Sequence, residues 1–128
     1  MKIKFLLAFL AFSFFFCGSV FATDMNPYTE DSFRKAKSDG KSIVLVFHAN
    51  WCPTCRAQKP VLESILKEKE FDGLVALQVD YDDSDDIQRE LGVTRQSTVI
   101  VFKSGAEVGR SVSDTNKDSL TTLLKKGI

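Results

Sequence analysis

The 128 residues carry 17 basic and 17 acidic side chains, for a formal net charge of zero, and 44% of them are apolar. No basic field of the kind that holds nucleic acid is present. The length suits one domain with one buried core, and no repeat, low-complexity segment or second domain is visible.

Met1-Lys2-Ile3-Lys4 is a short basic start, Phe5 to Phe16 is almost wholly apolar, and Val20-Phe21-Ala22 places small residues at the −3 and −1 positions of a cut after Ala22. The pattern reads as a secretory signal peptide over residues 1–22, followed by a folded domain over residues 23–128. The rival is an uncleaved membrane anchor, because Phe5 to Ala22 nearly reaches spanning length, but it leaves the cut site unexplained. A lipoprotein signal at Cys17 fits poorly with bulky Phe16 before it. Cleavage removes Cys17 and leaves Cys52 and Cys55 as an even pair. Loss of Lys2 and Lys4 turns the balanced chain slightly acidic. The expected location is periplasmic or otherwise exported, where disulfides persist, with membrane contact only through the signal segment if it stays uncut.

Thr23 to Asn26 reads as a leader, and Asn26-Pro27 as a helix start, with the helix running from about Tyr28 to Asp39 and stopped by Gly40. Ile43 to Phe47 is a continuous β-branched apolar run, as in a strand buried on both faces. A helix follows from Cys52 to about Glu70, with an apolar stripe of Ala57, Val61, Leu62, Ile65 and Leu66 and a kink at Pro60, which lacks an N–H. Leu74 to Val79 is the next strand, Ser84 to Leu91 a short helix that Gly92 stops, and Thr98 to Phe102 a third strand. A turn at Lys103-Ser104-Gly105-Ala106 leads to an edge strand, Glu107 to Val112. Asp114 to Lys126 closes the chain as a helix capped by Asp114 or Thr115. The order α-β-α-β-α-β-β-α predicts an α/β fold with a four-stranded mixed sheet flanked by helices.

The stretch that carries chemistry is Trp51-Cys52-Pro53-Thr54-Cys55, at the junction of the first buried strand and the long helix. Two thiols at this spacing can close and reopen a small disulfide ring. The free helix N-terminus lowers the pKa of the first thiol. Such a pair can exchange electrons with other disulfides and needs no cofactor beyond itself. As a structural staple, a ring this small would stabilise weakly. As a metal site, two thiolates and His48 fall short of a closed zinc shell in one chain, though a dimer could supply four thiolates. The acid run Asp80, Asp82, Asp83, Asp85 and Asp86 lacks the glycine turn and closing glutamate of a calcium loop and reads as a solvated helix start. Arg56 and Lys59 read as solvated helix positions that exert a weak favourable field at Cys52.

With Phe47-His48-Ala49-Asn50-Trp51-Cys52, Pro60, Val79-Asp80 and Gly92-Val93-x-x-x-x-Thr98 in this order, the chain from about Ser32 to Lys126 resembles the thioredoxin superfamily. Its opening Ala36-Lys37-Ser38-Asp39-Gly40-Lys41 is similar to the exported branch that includes the reducing domain of DsbD-type proteins. The resemblance implies a thioredoxin fold and a thiol–disulfide oxidoreductase that reduces disulfides of exported proteins. Cys52 would form the mixed disulfide and Cys55 resolve it. Trp51, Pro53, Thr54, Ser97 and Thr98 would meet the substrate. The implied partners are disulfide-bearing proteins, among them apocytochromes, and a DsbD-type membrane electron donor. An oxidant that donates its disulfide and a metal-delivery protein are the alternatives.

Two positions depart from the family. Ser97 stands where most members have a cis-proline, and the Gln96–Ser97 bond is expected to be cis so that the loop lies against the cysteines. A cis bond there costs about 3 kcal/mol, and the Ser97 N–H and hydroxyl would both donate to Cys52. Val46 stands where cytosolic members bury an aspartate that moves a proton. His48, read onto the opposite strand face, is the only histidine and the candidate for proton or thiolate tuning.

Overall fold

The computed structural model describes residues 23–128. The expected signal segment, Cys17 included, lies outside the described residues. The elements are β1 (Met25–Pro27), α1 (Glu30–Ser38), β2 (Ser42–His48), α2 (Pro53–Leu66), β3 (Leu74–Asp80), α3 (Asp85–Leu91), β4 (Thr98–Lys103), β5 (Ala106–Val112) and α4 (Lys117–Lys125). Short 3-10 turns at Lys69–Phe71 and Tyr81–Asp83 follow α2 and β3.

The sheet has five strands in the order β1-β3-β2-β4-β5, parallel from β1 to β2 and antiparallel from β2 to β5. This is the thioredoxin fold, with the four helices of the described residues around the sheet. It corrects the expected four strands by adding β1. Met25–Pro27 pairs with Ala76–Gln78 at the sheet edge, where the missing N–H of Pro27 breaks no ladder bond. The first helix therefore starts later than expected. Thr29 caps it and exchanges side-chain and backbone bonds with Ser32.

Alternation along the central strands builds a core on each side of the sheet. Val44, Val46, Val99 and Val101 pack against Leu62, Ile65 and Leu66 of α2 and Leu120 and Leu124 of α4. Ile43, Leu45, Phe47 and Ile100 pack on the other side against Phe33 of α1 and Ile87 of α3. β2 thus reads as an unbroken apolar run because both its faces are covered.

Two further helices are shorter than expected. α2 ends at Leu66 because the next four residues, Lys67-Glu68-Lys69-Glu70, offer nothing to its apolar stripe, and the 3-10 turn then buries Phe71. α4 is capped by Asn116, whose side chain accepts from the N–H groups of Asp118 and Ser119. Asp114 instead accepts from the Asn116 N–H at 2.9 Å, forming a local turn ahead of the helix. The expected stop at Gly92 is present: it is left-handed (φ 64°) and closes α3 with Val93 N–H donating to Gln88 O at 2.8 Å. Ser104 and Gly105, both at positive φ, make the tight β4–β5 turn.

Candidate functional site

The C-terminal end of β2 delivers Ala49, Asn50 and Trp51 to the first turn of α2, and Cys52 is the cap of that helix. Its Sγ accepts the Cys55 N–H at 3.2 Å. Pro53 occupies the first helical position, where a missing N–H costs nothing. Cys55 lies one turn further in and is 1% exposed, against 7% for Cys52, and both are free thiols. Pro53 is exposed and Thr54 half-buried, so both border the dithiol. Ala49 and Tyr81 pack against the two cysteines.

The thiols differ in acidity. Burial pushes Cys52 up, but bonds from the Cys55 thiol and N–H, the Ser97 hydroxyl and the Thr54 N–H outweigh it and hold Cys52 below an ordinary cysteine. Burial dominates at Cys55 and, with its bond to Cys52, raises that thiol despite opposing contributions from Ser97 and the Ala49 backbone. The outer sulfur is thus the better thiolate and the inner one holds its proton more tightly.

Ser97 reaches this dithiol by a different route from the one expected. No peptide bond among the described residues is cis, so the Gln96–Ser97 bond is trans. The loop turns inward because Ser97 takes a left-handed backbone, φ 58°. For a residue other than proline this costs roughly 1–2 kcal/mol, less than a cis bond. The Ser97 N–H donates to Phe47 O at 2.8 Å and does not reach Cys52. The hydroxyl does reach the sulfurs, at 2.9 Å from Cys55 Sγ and 3.6 Å from Cys52 Sγ. At 1% exposure, Ser97 faces the cysteines instead of an open groove.

The remaining expected site residues separate. Trp51 is 58% exposed at the rim, and its indole N–H donates to Asp82 Oδ2 at 2.8 Å. Thr98 is buried, and its hydroxyl donates to Arg95 O at 2.7 Å, so it braces the Ser97 loop and lines no groove. Val46, 1% exposed, is part of the core with Leu62, Ile65 and Leu66 of α2 and offers no acid. Residues 44, 46 and 48 share one strand face, which corrects the expectation that His48 lies opposite Val46. His48 is buried, shares a 3.1 Å hydrogen bond with Asn50, and borders a cleft of about 490 Å³ with Asn50, Trp51, Asp80 and Asp82. It is therefore a neighbour of the dithiol loop and makes no hydrogen bond to a sulfur.

Gln58 was missing from the sequence reading. The expected stripe residue Ala57 is exposed, and Gln58 is buried in its place at 1% exposure. Its amide donates to Ser97 O at 3.2 Å and to Asp114 O at 2.8 Å, tying the redox helix to the Ser97 loop and to the turn before α4. The signal was available in the spacing: Cys55, Gln58, Leu62 and Ile65 recur every three or four residues and, with Leu66, are the buried face of α2. Among the described residues, no group of three or more His, Cys, Asp or Glu side chains is placed to hold a metal ion.

The family model described as Thioredoxin matches residues 24–126. The thioredoxin of Chlamydia muridarum is 39% identical over 99 residues, covering 77% of this chain and 93% of its own length. A Schizosaccharomyces pombe protein carrying a protein disulfide-isomerase name is 33% identical over 128 residues, and this chain spans only 25% of it. Among solved structures, Trxlp from Edwardsiella tarda EIB202 superposes with a TM-score of 0.77 at 28% identity, covering 79% of this chain and 98% of that one.

Proposed function

The chain belongs to the thioredoxin family and is a thiol–disulfide oxidoreductase; from that premise we propose that it is exported and reduces disulfides of extracytoplasmic proteins. Cys52 attacks the substrate disulfide and forms a mixed disulfide, and Cys55 then attacks Cys52 Sγ and releases the reduced product. The observation that carries this assignment is the unequal placement of the pair: Cys52 caps α2 with its Sγ accepting the Cys55 N–H, and Cys55 is buried at 1% exposure a turn below it. Trp51, exposed beside Cys52, is the docking surface, with Pro53 and Thr54 completing the rim. Export rests on the basic, apolar and small-residue pattern of residues 1–22, with cleavage after Ala22. A membrane donor of the DsbD type would return electrons to the Cys52–Cys55 disulfide.

Equilibration with glutathione buffers tests the direction. A potential near the roughly −270 mV of thioredoxins supports the reductase, and one near the roughly −120 mV of strong periplasmic oxidants reverses it. Expression of the full chain, followed by osmotic release and N-terminal sequencing, tests export. A mature protein beginning at Thr23 is expected, and a full-length cytosolic product would remove the exported reading.

A further inference from the structure

We propose that Ser97 is a catalytic residue of this dithiol, its hydroxyl carrying the Cys55 proton to the departing substrate sulfur, the task for which no carboxylate is placed. The inference rests on the reading that Cys52 attacks and Cys55 resolves.

Three observations carry it. The first is distance. Ser97 Oγ lies 2.9 Å from Cys55 Sγ and 3.6 Å from Cys52 Sγ, so one hydroxyl touches the attacking sulfur and the sulfur to which the substrate is bonded. A hydroxyl donates one proton while accepting another, which is what a relay requires.

The second is fixation. The Ser97 N–H is held by Phe47 O at 2.8 Å, and its carbonyl accepts from Ser113 N–H at 3.0 Å and from the Gln58 amide at 3.2 Å. β2, the residue after β5, and α2 thus clamp its backbone, and with no water-facing surface the side chain has only the sulfurs to serve. The left-handed backbone at φ 58° is a strained choice for serine, which glycine would adopt without cost.

The third is the lack of an alternative among the described residues. From the end of β2 the dithiol meets Ala49, while Val46 belongs to the apolar core and the His48 ring is bonded to Asn50. From the turn after β3 it meets Tyr81, and Asp82 is bonded to the Trp51 indole. On α2, Arg56 is exposed and Lys59 half-buried. Before β4, Arg95 is exposed and its carbonyl holds Thr98. In the turn before α4, the Asp114 carboxylate accepts from Asn116 N–H and Ser119. Among the described residues, the charge that bears on Cys55 is that of Cys52.

The step balances. In the mixed disulfide, Cys52 Sγ is bonded to the substrate sulfur and Cys55 is a thiol. Cys55 S–H gives its proton to Ser97 Oγ as the Ser97 O–H proton passes to the substrate sulfur. The Cys55–Cys52 bond forms as the Cys52–substrate bond breaks. The products are the intramolecular disulfide, a substrate thiol and an unchanged serine. The two electrons gained by the substrate disulfide come from the two cysteines.

Quench-flow mixing of the reduced protein with oxidised glutathione separates the steps, since acid traps the Cys52–glutathione disulfide for mass analysis. Ser97→Gly removes the hydroxyl and suits the left-handed backbone. It is expected to accumulate this intermediate, to slow its resolution by about 10²-fold, and to make resolution climb steeply with pH as hydroxide replaces the serine. Ser97→Thr, which keeps the hydroxyl, should recover part of the rate. Resolution by Ser97→Gly at the wild-type rate and with the wild-type pH profile would overturn the relay. In the unaltered protein, resolution should slow in heavy water with more than one proton in flight; a rate indifferent to deuterium also overturns it. Cys52→Ser must abolish the intermediate. If it does not, the dithiol reading itself fails, whatever Ser97 does.

Discussion

Replacing Gln58 by leucine keeps a side chain of similar size in a slot that is 1% exposed but removes both bonds its amide donates, to Ser97 O and Asp114 O. Each neutral bond contributes about 1 kcal/mol net, and a buried carbonyl left without a donor costs about 1–3 kcal/mol more. Ser97 O retains the Ser113 N–H at 3.0 Å, so only the Asp114 carbonyl, in a half-buried residue, is stranded. The expected loss is therefore about 3–5 kcal/mol. With a urea slope of about 2 kcal/mol/M, the middle of the usual range, the unfolding midpoint should fall by roughly 1.5–2.5 M. Ala57→Leu, one residue away on the exposed side of α2, should change stability by less than about 0.5 kcal/mol. Gln58→Glu adds a sign. A carboxyl in that slot has a raised folded pKa, so the variant should be least impaired at low pH and weaken further as pH rises through it. Equal midpoints for Gln58→Leu and Ala57→Leu would refute the clamp.

Thiolate absorbance should resolve two titrations in the reduced protein, Cys52 below an ordinary cysteine and Cys55 above it, and Cys55→Ser should leave only the lower one. The same asymmetry shapes stability. Between the folded Cys52 value and the ordinary cysteine value the unfolded chain holds a proton that the native chain lacks, so stability rises with pH. Above the ordinary value, Cys55 keeps its proton in the native chain alone, and stability falls. Urea midpoints of the reduced protein should thus peak near pH ~8.5, while the oxidised protein shows no such dome; a monotonic curve for the reduced protein would contradict the assignment. Asp82→Ala frees the Trp51 indole at an exposed site, so it should cost under about 1 kcal/mol, shift tryptophan fluorescence and weaken reduction of protein substrates more than of small disulfides. A stability loss beyond about 2 kcal/mol would make the pair structural.

What the sequence shows of this fold depends on how far each signal reaches along the chain. The cysteine pair, the apolar run of β2 and the stop at Gly92 are local patterns, and each appears where spacing places it. β1 has three residues and a proline, too short for alternation to register, and it exists only because the edge of β3 is open to it. The end of α2 is set by the need to bury Phe71, a tertiary demand, while its charged residues 67–70 have ordinary helix propensity.

The same distinction separates the legible part of the site from the rest. Cys52 and Cys55 share one helical turn, so their unequal environments follow from which one caps the helix. Ser97 lies more than forty residues away, and its arrival depends on its backbone conformation. Substituting serine for proline removes the preference for a bend at the peptide bond. It leaves the same need to bring the loop to the sulfurs, and a left-handed residue meets that need more cheaply. A serine so placed has an N–H that β2 can hold, as proline does not, and a hydroxyl that must go somewhere in a buried pocket. Both consequences converge on the dithiol. The loss of the family's proline and of its buried acid therefore act together: Val46 offers no carboxylate on β2, and Ser97 brings a hydroxyl that reaches the Cys55 sulfur.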